Sequence, residues 1–112
     1  MQPNETYTIE FLRIALNDME EIIASFIMLD SKKGAERIKN KFIKAAEQIQ
    51  KFPYSGVTVP DKKMSRSGFR MIIVEKYLMF YRIFEEEHKI IFYRILNGRT
   101  DYPTMFQQST KN

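Results

Sequence analysis

Three apolar segments in the second half of the chain, separated by very short links, constrain the fold most strongly. The segments are residues 69–74, 77–84 and 89–96. Each is rich in the β-branched and aromatic residues typical of strands. The links at 75–76 and 85–88 are too short for the crossover that parallel neighbours need. The sequence therefore predicts an antiparallel three-stranded meander that ends at Asn97.

Two amphipathic helices are predicted before the meander. In residues 14–29, apolar side chains recur at three- and four-residue steps, which is the period of a helix with one buried face. Residues 30–34 have turn composition, and a second helix is predicted over about 35–51, where Pro53 stops it. Because the link is so short, we expect the two helices to form an antiparallel hairpin.

The remaining segments complete the prediction of one α+β domain over residues 1–112. Residues 7–12 alternate in polarity and predict a first strand. Residues 53–67 contain proline, glycine and several charges and are interpreted as a loop. Residues 102–107 predict either a short helix or a final edge segment.

The composition excludes several classes of site. The chain has no cysteine, which rules out disulfides, thiolate metal sites and cysteine nucleophiles. The start of the chain lacks the apolar core of a signal peptide, and no apolar run is long enough to span a bilayer. We therefore expect a cytoplasmic protein with no cofactor, no metal and no membrane partner. The formal net charge of +4 favours contact with a nucleic acid or an acidic protein. The same charge is equally compatible with a basic protein that has no such partner.

Alternation along the three strands predicts a sheet with two apolar faces, provided that the turns have even length. The face expected to pack on the helices carries Phe69, Met71, Ile73, Leu78, Phe80, Phe84, Ile91, Tyr93 and Ile95. The opposite face carries Arg70, Ile72, Val74, Met79, Tyr81, Ile83, Phe92, Arg94 and Leu96. Arg82 falls on the helix-packed face and is interpreted as structural. We predict that a partner covers the arginine-bearing face, the alternative being cover by the loop or the C-terminal segment.

Several short motifs, in their order and spacing, carry a resemblance to a known family. They are the strand at 7–11, the helix start at 17–22, Phe-Pro-Tyr-Ser-Gly at 52–56, Gly-Phe-Arg-Met at 68–71, Tyr-Leu-Met-Phe-Tyr-Arg at 77–82 and Ile-Leu-Asn-Gly-Arg-Thr-Asp-Tyr at 95–102. Together they resemble the RelE/ParE superfamily of bacterial toxins, and the likeness covers residues 7–106.

The resemblance implies a fold and a biological role. The expected RelE/ParE-like fold has an N-terminal strand, an antiparallel helical hairpin and a three-stranded antiparallel meander, with the helices packed on one face of the sheet. The expected role is the toxin of a type II toxin–antitoxin module for plasmid stabilisation. A cognate antitoxin, whose C-terminal segment folds on binding, would hold the toxin inactive in a hetero-oligomer.

Two branches of the superfamily differ in their target. The RelE-like branch cleaves mRNA on the ribosome, and the ParE-like branch binds DNA gyrase and traps cleaved DNA. In the nuclease interpretation, Arg70 and Arg99 match two catalytic arginines. Phe106 stands near the position of a catalytic tyrosine and has no proton to transfer, while Asn97 replaces a common histidine. This incomplete set favours the gyrase-directed toxin over the endoribonuclease.

A third interpretation is a non-toxic RNA- or protein-binding module, in which Arg70, Tyr81 and Arg94 form a basic aromatic platform. His88, the only histidine, lies in a predicted turn and is interpreted as exposed rather than catalytic. Arg70 is the main functional candidate. The residues expected to bind the target or the antitoxin are Arg70, Tyr81, Arg94, Arg99, Tyr102 and Phe106.

Overall fold

A five-stranded mixed sheet with helices on both faces makes up the fold. The computed structural model describes residues 6–110, with side chains described for 6–106. The elements in chain order are β1 (Thr8–Phe11), α1 (Arg13–Met28), α2 (Lys32–Lys51), a 3₁₀ turn (Pro53–Ser55), β2 (Val57–Thr58), α3 (Lys62–Arg66), β3 (Phe69–Val74), β4 (Tyr77–Phe84), β5 (Lys89–Asn97) and α4 (Tyr102–Thr110). None of the helices in the described part of the chain has the length and apolar character needed to cross a membrane.

The strand order is β1-β5-β4-β3-β2. The predicted antiparallel meander of β3, β4 and β5 is confirmed, and β1 pairs in parallel with the first half of β5. The helical hairpin of α1 and α2 lies between β1 and the remaining strands in chain order. The two-residue strand β2 pairs with Arg70 and Met71 only, so β3 has an open edge beyond that point.

The hairpin forms largely as predicted, but α2 begins three residues earlier. Ser31 is the N-cap of α2, and its hydroxyl accepts a hydrogen bond from the Gly34 N–H at 3.1 Å. The link is therefore shorter than the turn-like composition of 30–34 suggested. The buried stripe of α2 includes Ile38, Phe42 and Ile49, which pack on the sheet.

The predicted assignment of the two sheet faces is wrong, and the faces are exchanged. Helices α1 and α2 cover the face that carries Ile72, Val74, Met79, Tyr81 and Phe92. This first core consists of Ile38, Phe42, Ala45, Ile49, Val74, Tyr77, Met79, Tyr81, Ile90, Phe92 and Ile95. Alternation sorts residues between faces but does not say which elements cover each face, and both faces here are apolar enough for either role.

The second face is covered by parts of this chain, which corrects the interpretation of residues 53–67 as a loop. Asp61 caps α3 by accepting a hydrogen bond from the Met64 N–H at 3.0 Å, and the Met64 side chain is buried. The second core consists of Val59, Met64, Met71, Leu78, Phe80, Leu96 and Phe106. The arginine-bearing face, for which a partner or else the loop or the C-terminal segment was the predicted cover, lies instead under α1 and α2. The loop region and the C-terminal segment cover the other face, and no partner is needed to bury this core.

A β-bulge also breaks the assumed alternation in β5. The β4–β5 register shifts so that Phe80 lies opposite Arg94 while Tyr81 lies opposite Phe92, which leaves Tyr93 as the extra residue. Beyond the bulge, each side chain of β5 therefore lies on the face opposite to the one that simple alternation gives. Alternation groups Ile95 with Phe80 and Leu96 with Tyr81, but Ile95 belongs to the first core and Leu96 to the second.

Candidate functional site

Arg70, the main candidate from the sequence, anchors the 3₁₀ turn to the sheet. One terminal nitrogen, Nη2, donates to the carbonyl oxygens of Tyr54 at 3.1 Å and Gly56 at 2.9 Å. The guanidinium carbon lies 5.3 Å from the centre of the Tyr54 ring. The Arg70 Nε is buried and has no hydrogen-bond partner within the described residues. The side chain is half-buried and borders a cavity of about 250 Å³ that also contacts Thr58.

Tyr81 lies next to Arg70 and is fully buried. Its hydroxyl donates to the Pro53 carbonyl oxygen at 2.7 Å. Burial raises the pKa of the Tyr81 hydroxyl, and the neighbouring Arg70 opposes that rise. Tyr81 therefore remains a protonated donor that holds the 3₁₀ turn. This contact gives a structural reason for the Phe-Pro-Tyr-Ser-Gly motif.

We predict that Gly56→Ala lowers the free energy of unfolding by about 1–3 kcal/mol, as for an overpacked core site. A Cβ at Gly56 would lie 2.6 Å from the Met71 carbonyl oxygen and would also overlap the Tyr81 hydroxyl. Denaturant unfolding measures the change. The matched control is Gly98→Ala, where a Cβ would approach no neighbour closer than 3.4 Å. Equal losses in the two variants would contradict the close packing of Gly56 on Tyr81.

A carboxylate beside this site joins three separate segments. The hydroxyls of Tyr7 and Tyr54 both donate to Glu85, with the Tyr7 contact at 2.8 Å. The Tyr54 bond and then the Tyr7 bond lower the pKa of Glu85, and the Glu85 bond raises the pKa of Tyr54. His88 stacks on the Tyr7 ring at 4.0 Å in the predicted turn and is half-buried rather than exposed. The network ties the start of β1 and the 3₁₀ turn to the end of β4.

Arg94 is a buried structural cation. It is buried, and its Nε and Nη2 donate to the two carboxylate oxygens of Asp18 at 2.8 and 3.0 Å. The same carboxylate accepts the Ile95 backbone N–H at 2.9 Å. Strand β1 ends opposite Phe92, so the backbone of β5 has no strand partner on that side beyond this residue. The Asp18 carboxylate on α1 accepts the Ile95 N–H in place of a strand carbonyl. The role of Asp18 could not be predicted from the sequence, since an acidic residue on an amphipathic helix carries no signal of such a partner.

The other predicted site residues lie elsewhere. Arg99 is exposed, and its backbone N–H donates to the Asn97 side chain at 2.9 Å. Tyr102 is half-buried, with its ring 5.0 Å from that of Phe80. Phe106 is 3% exposed and packs on the second face of the sheet, 4.9 Å from the Phe80 ring.

The structure therefore brings Arg70 and Tyr81 together, and it packs Tyr102 and Phe106 on Phe80, but the six predicted residues do not form one site. Arg70 points to the face under α1 and α2, while Phe106 lies on the opposite face. Arg99 lies at the other end of β3 from Arg70. The N–H of the preceding residue, Gly98, donates to the carbonyl oxygen of Lys76 in the β3–β4 turn. A surface platform of Arg70, Tyr81 and Arg94 does not form, because Tyr81 and Arg94 are buried. In the described residues, no group of three or more His, Asp or Glu side chains could hold a metal.

Residues 9–102 match the sequence profile of the ParE toxin of the type II toxin–antitoxin system parDE. The chain belongs to this family of toxins. A comparison with curated proteins finds no match.

Two of the solved structures with a similar fold come from toxin–antitoxin systems. The chain is similar to the chromosomal ParDE system from P. aeruginosa, with 17% identity, a TM-score of 0.66 and coverage of 81% of this chain and 95% of the other. It is also similar to the toxin–antitoxin complex RelBE2 from Mycobacterium tuberculosis, with 18% identity, a TM-score of 0.62 and coverage of 83% and 99%. The RelE/ParE-like fold expected from the sequence is confirmed.

Proposed function

We propose that the chain is the growth-arresting toxin of a plasmid-stabilising type II module, acts on DNA gyrase in the cytoplasm, and is neutralised by a cognate antitoxin. The family assignment supports the toxin role. The gyrase target is supported chiefly by one observation, that the side chains matching a nuclease site are dispersed over two faces and two ends of the sheet.

Cleavage of mRNA needs a proton acceptor and cations at one ribose and its phosphate. In this chain, the Nη2 of Arg70 is engaged by two carbonyl oxygens, and Phe106 offers only a buried hydrocarbon ring. Arg99 lies at the far end of the sheet from Arg70. Binding to a protein target needs none of these groups in one place, so the dispersed arrangement supports a gyrase poison over an endoribonuclease.

The predicted contact residues differ in accessibility. Arg99 is exposed and is the most accessible candidate for contact with gyrase or the antitoxin, while Arg70 and Tyr102 are half-buried. Tyr81, Arg94 and Phe106 would act by supporting the surface around them. Exposed apolar side chains give an antitoxin segment further surface to cover, and they are Ile27, Met28 and Leu29 at the hairpin tip and Val57 and Ile73 near the β3 edge.

Expression in a bacterial host tests the proposal. We expect growth arrest with induction of the SOS response, relief by co-expression of the adjacent antitoxin gene, and intact mRNA in primer extension. Arg99→Ala should weaken the arrest, whereas Lys39→Ala, an exposed cation on α2, should leave it unchanged. Growth arrest with codon-specific mRNA cuts and no SOS response would overturn the gyrase target and favour the endoribonuclease.

A further inference from the structure

One end of the second sheet face carries an arginine between aromatic rings. We call this surface the aromatic platform, and it consists of Phe69, Arg82, Phe84, Ile91 and Tyr93. The Arg82 guanidinium carbon lies 4.9 Å from the centre of the Phe84 ring and 5.6 Å from that of Phe69. All five side chains are half-buried, whereas Phe80 and Leu78 on the same face are buried. Helices α3 and α4 therefore cover the middle of this face and leave its end open.

The Arg82 charge is not neutralised within the described residues. No carboxylate of residues 6–106 lies within 4.0 Å of its guanidinium, whereas Arg37 and Arg94 both form ion pairs. The two rings hold the guanidinium in place through cation–π contacts, which leave its N–H groups available. A planar guanidinium with available donors is suited to binding phosphate. The Arg82 side chain is therefore packed between the two rings, in keeping with a structural role, while its N–H groups are available to bind a ligand.

Further cations lie next to the platform. Lys62, Lys63 and Arg66 are exposed on α3, and Lys63 and Phe69 border the same small cavity. Between α3 and Arg82 the chain passes through Gly68, which has φ of 91° and no side chain to block the path. On the other side, the β4–β5 turn carries Glu86 and Glu87, which repel a polyanion. The favourable path therefore runs from α3 across Arg82 and not over the turn.

We propose that the aromatic platform and the basic side of α3 bind a single-stranded nucleic acid. Phosphates would contact Arg82 and the α3 cations, and unpaired bases would stack on Phe84 and Tyr93. Paired bases hide their faces, so a duplex gains only the phosphate contacts. Neither stacking nor phosphate contact reads the 2′-hydroxyl, so DNA and RNA strands should bind alike. This site differs from the residues proposed to contact gyrase and does not depend on that target.

Fluorescence anisotropy with the full chain tests the proposal, using labelled oligothymidine and oligouridine of about twelve nucleotides, near the site size of sheet-based binders. We expect both strands to bind. Arg82→Gln and Phe84→Leu should each weaken binding about tenfold, the order of one stacked base or one phosphate contact. Arg82→Gln should also reduce the salt dependence by about 0.7 in the log–log slope, the value for one phosphate on a single strand.

The matched control is Lys39→Gln, which removes one exposed positive charge from α2, on the other side of the molecule. It should change binding less than about twofold, because it retains every platform contact. Circular dichroism must show that each variant is folded. Equal weakening by Lys39→Gln and Arg82→Gln, tighter binding of a duplex than of a single strand, equal competition by polyglutamate, or no binding at all would overturn the proposal. None of these results depends on gyrase or on growth arrest.

Discussion

Replacing Asp18 with alanine should lower the free energy of unfolding by about 3–5 kcal/mol, the usual cost of removing one partner of a buried ion pair. The Asp18 carboxylate accepts two hydrogen bonds from Arg94 and one from the Ile95 N–H. Both side chains are nearly buried, at 9% exposure for Arg94 and 12% for Asp18. The variant therefore leaves a buried guanidinium without its carboxylate and a strand edge without its acceptor.

Denaturant unfolding of Asp18→Ala, with Glu20→Ala as control, measures this effect. Glu20 is an exposed carboxylate on the same helix, so its loss should cost less than about 0.5 kcal/mol. Adding Arg94→Met to Asp18→Ala should recover part of the loss, because an apolar side chain of similar volume needs no partner. A loss below about 1 kcal/mol for Asp18→Ala, or no recovery in the double variant, would show that the ion pair does not join α1 to β5.

Phe80→Ala should also cost about 3–5 kcal/mol, the range for a fully buried phenylalanine. Phe80 is 0% exposed at the centre of the second core, and its ring lies 5.0 Å from Tyr102 and 4.9 Å from Phe106. Because both of these residues belong to α4, truncation of Phe80 should also loosen that helix from the sheet.

Two measurements separate these consequences. Denaturant unfolding gives the free energy, and amide hydrogen exchange should show faster exchange in α4 than in α1 for the Phe80→Ala variant. Phe84→Ala, on the same strand and face but half-buried, should cost clearly less. If Phe80→Ala and Phe84→Ala cost the same, the second core does not close over Phe80.

The strands and helices were predictable because their signals are local. The predicted limits of β3 and β4 agree with the structure, β5 extends one residue further than predicted, and α1 is shifted by one residue at each end. Hydrophobic period and turn residues decide these elements within a few positions of the chain. The parallel pairing of β1 with β5 had no such signal, since it depends on a contact between residues about 80 positions apart.

The cover of the sheet faces could not be predicted in the same way. Residues 53–67 have loop composition, yet Val59 and Met64 are buried and complete the second core. One bulge at Tyr93 reversed the faces of Ile95 and Leu96. Such features depend on packing between distant segments and not on local periodicity.

The candidate site was predicted least well, for a related reason. The sequence motif identified Arg70, but its two carbonyl partners come from the preceding turn and were not predicted. Arg94 and Tyr81 looked available by alternation, and both are buried. The arginine on the half-open face is Arg82, whose position between two rings depends on the register of β3 and β4.

A gyrase supercoiling assay with purified components tests whether the chain acts on DNA gyrase. The chain is incubated with gyrase, ATP and relaxed plasmid, and the DNA is then separated after treatment with detergent and protease. We predict loss of supercoiling with accumulation of linear, gyrase-cleaved plasmid, and no such accumulation when the cognate antitoxin is added first. Full supercoiling with no cleaved DNA, at toxin concentrations that arrest growth, would show that gyrase is not the target.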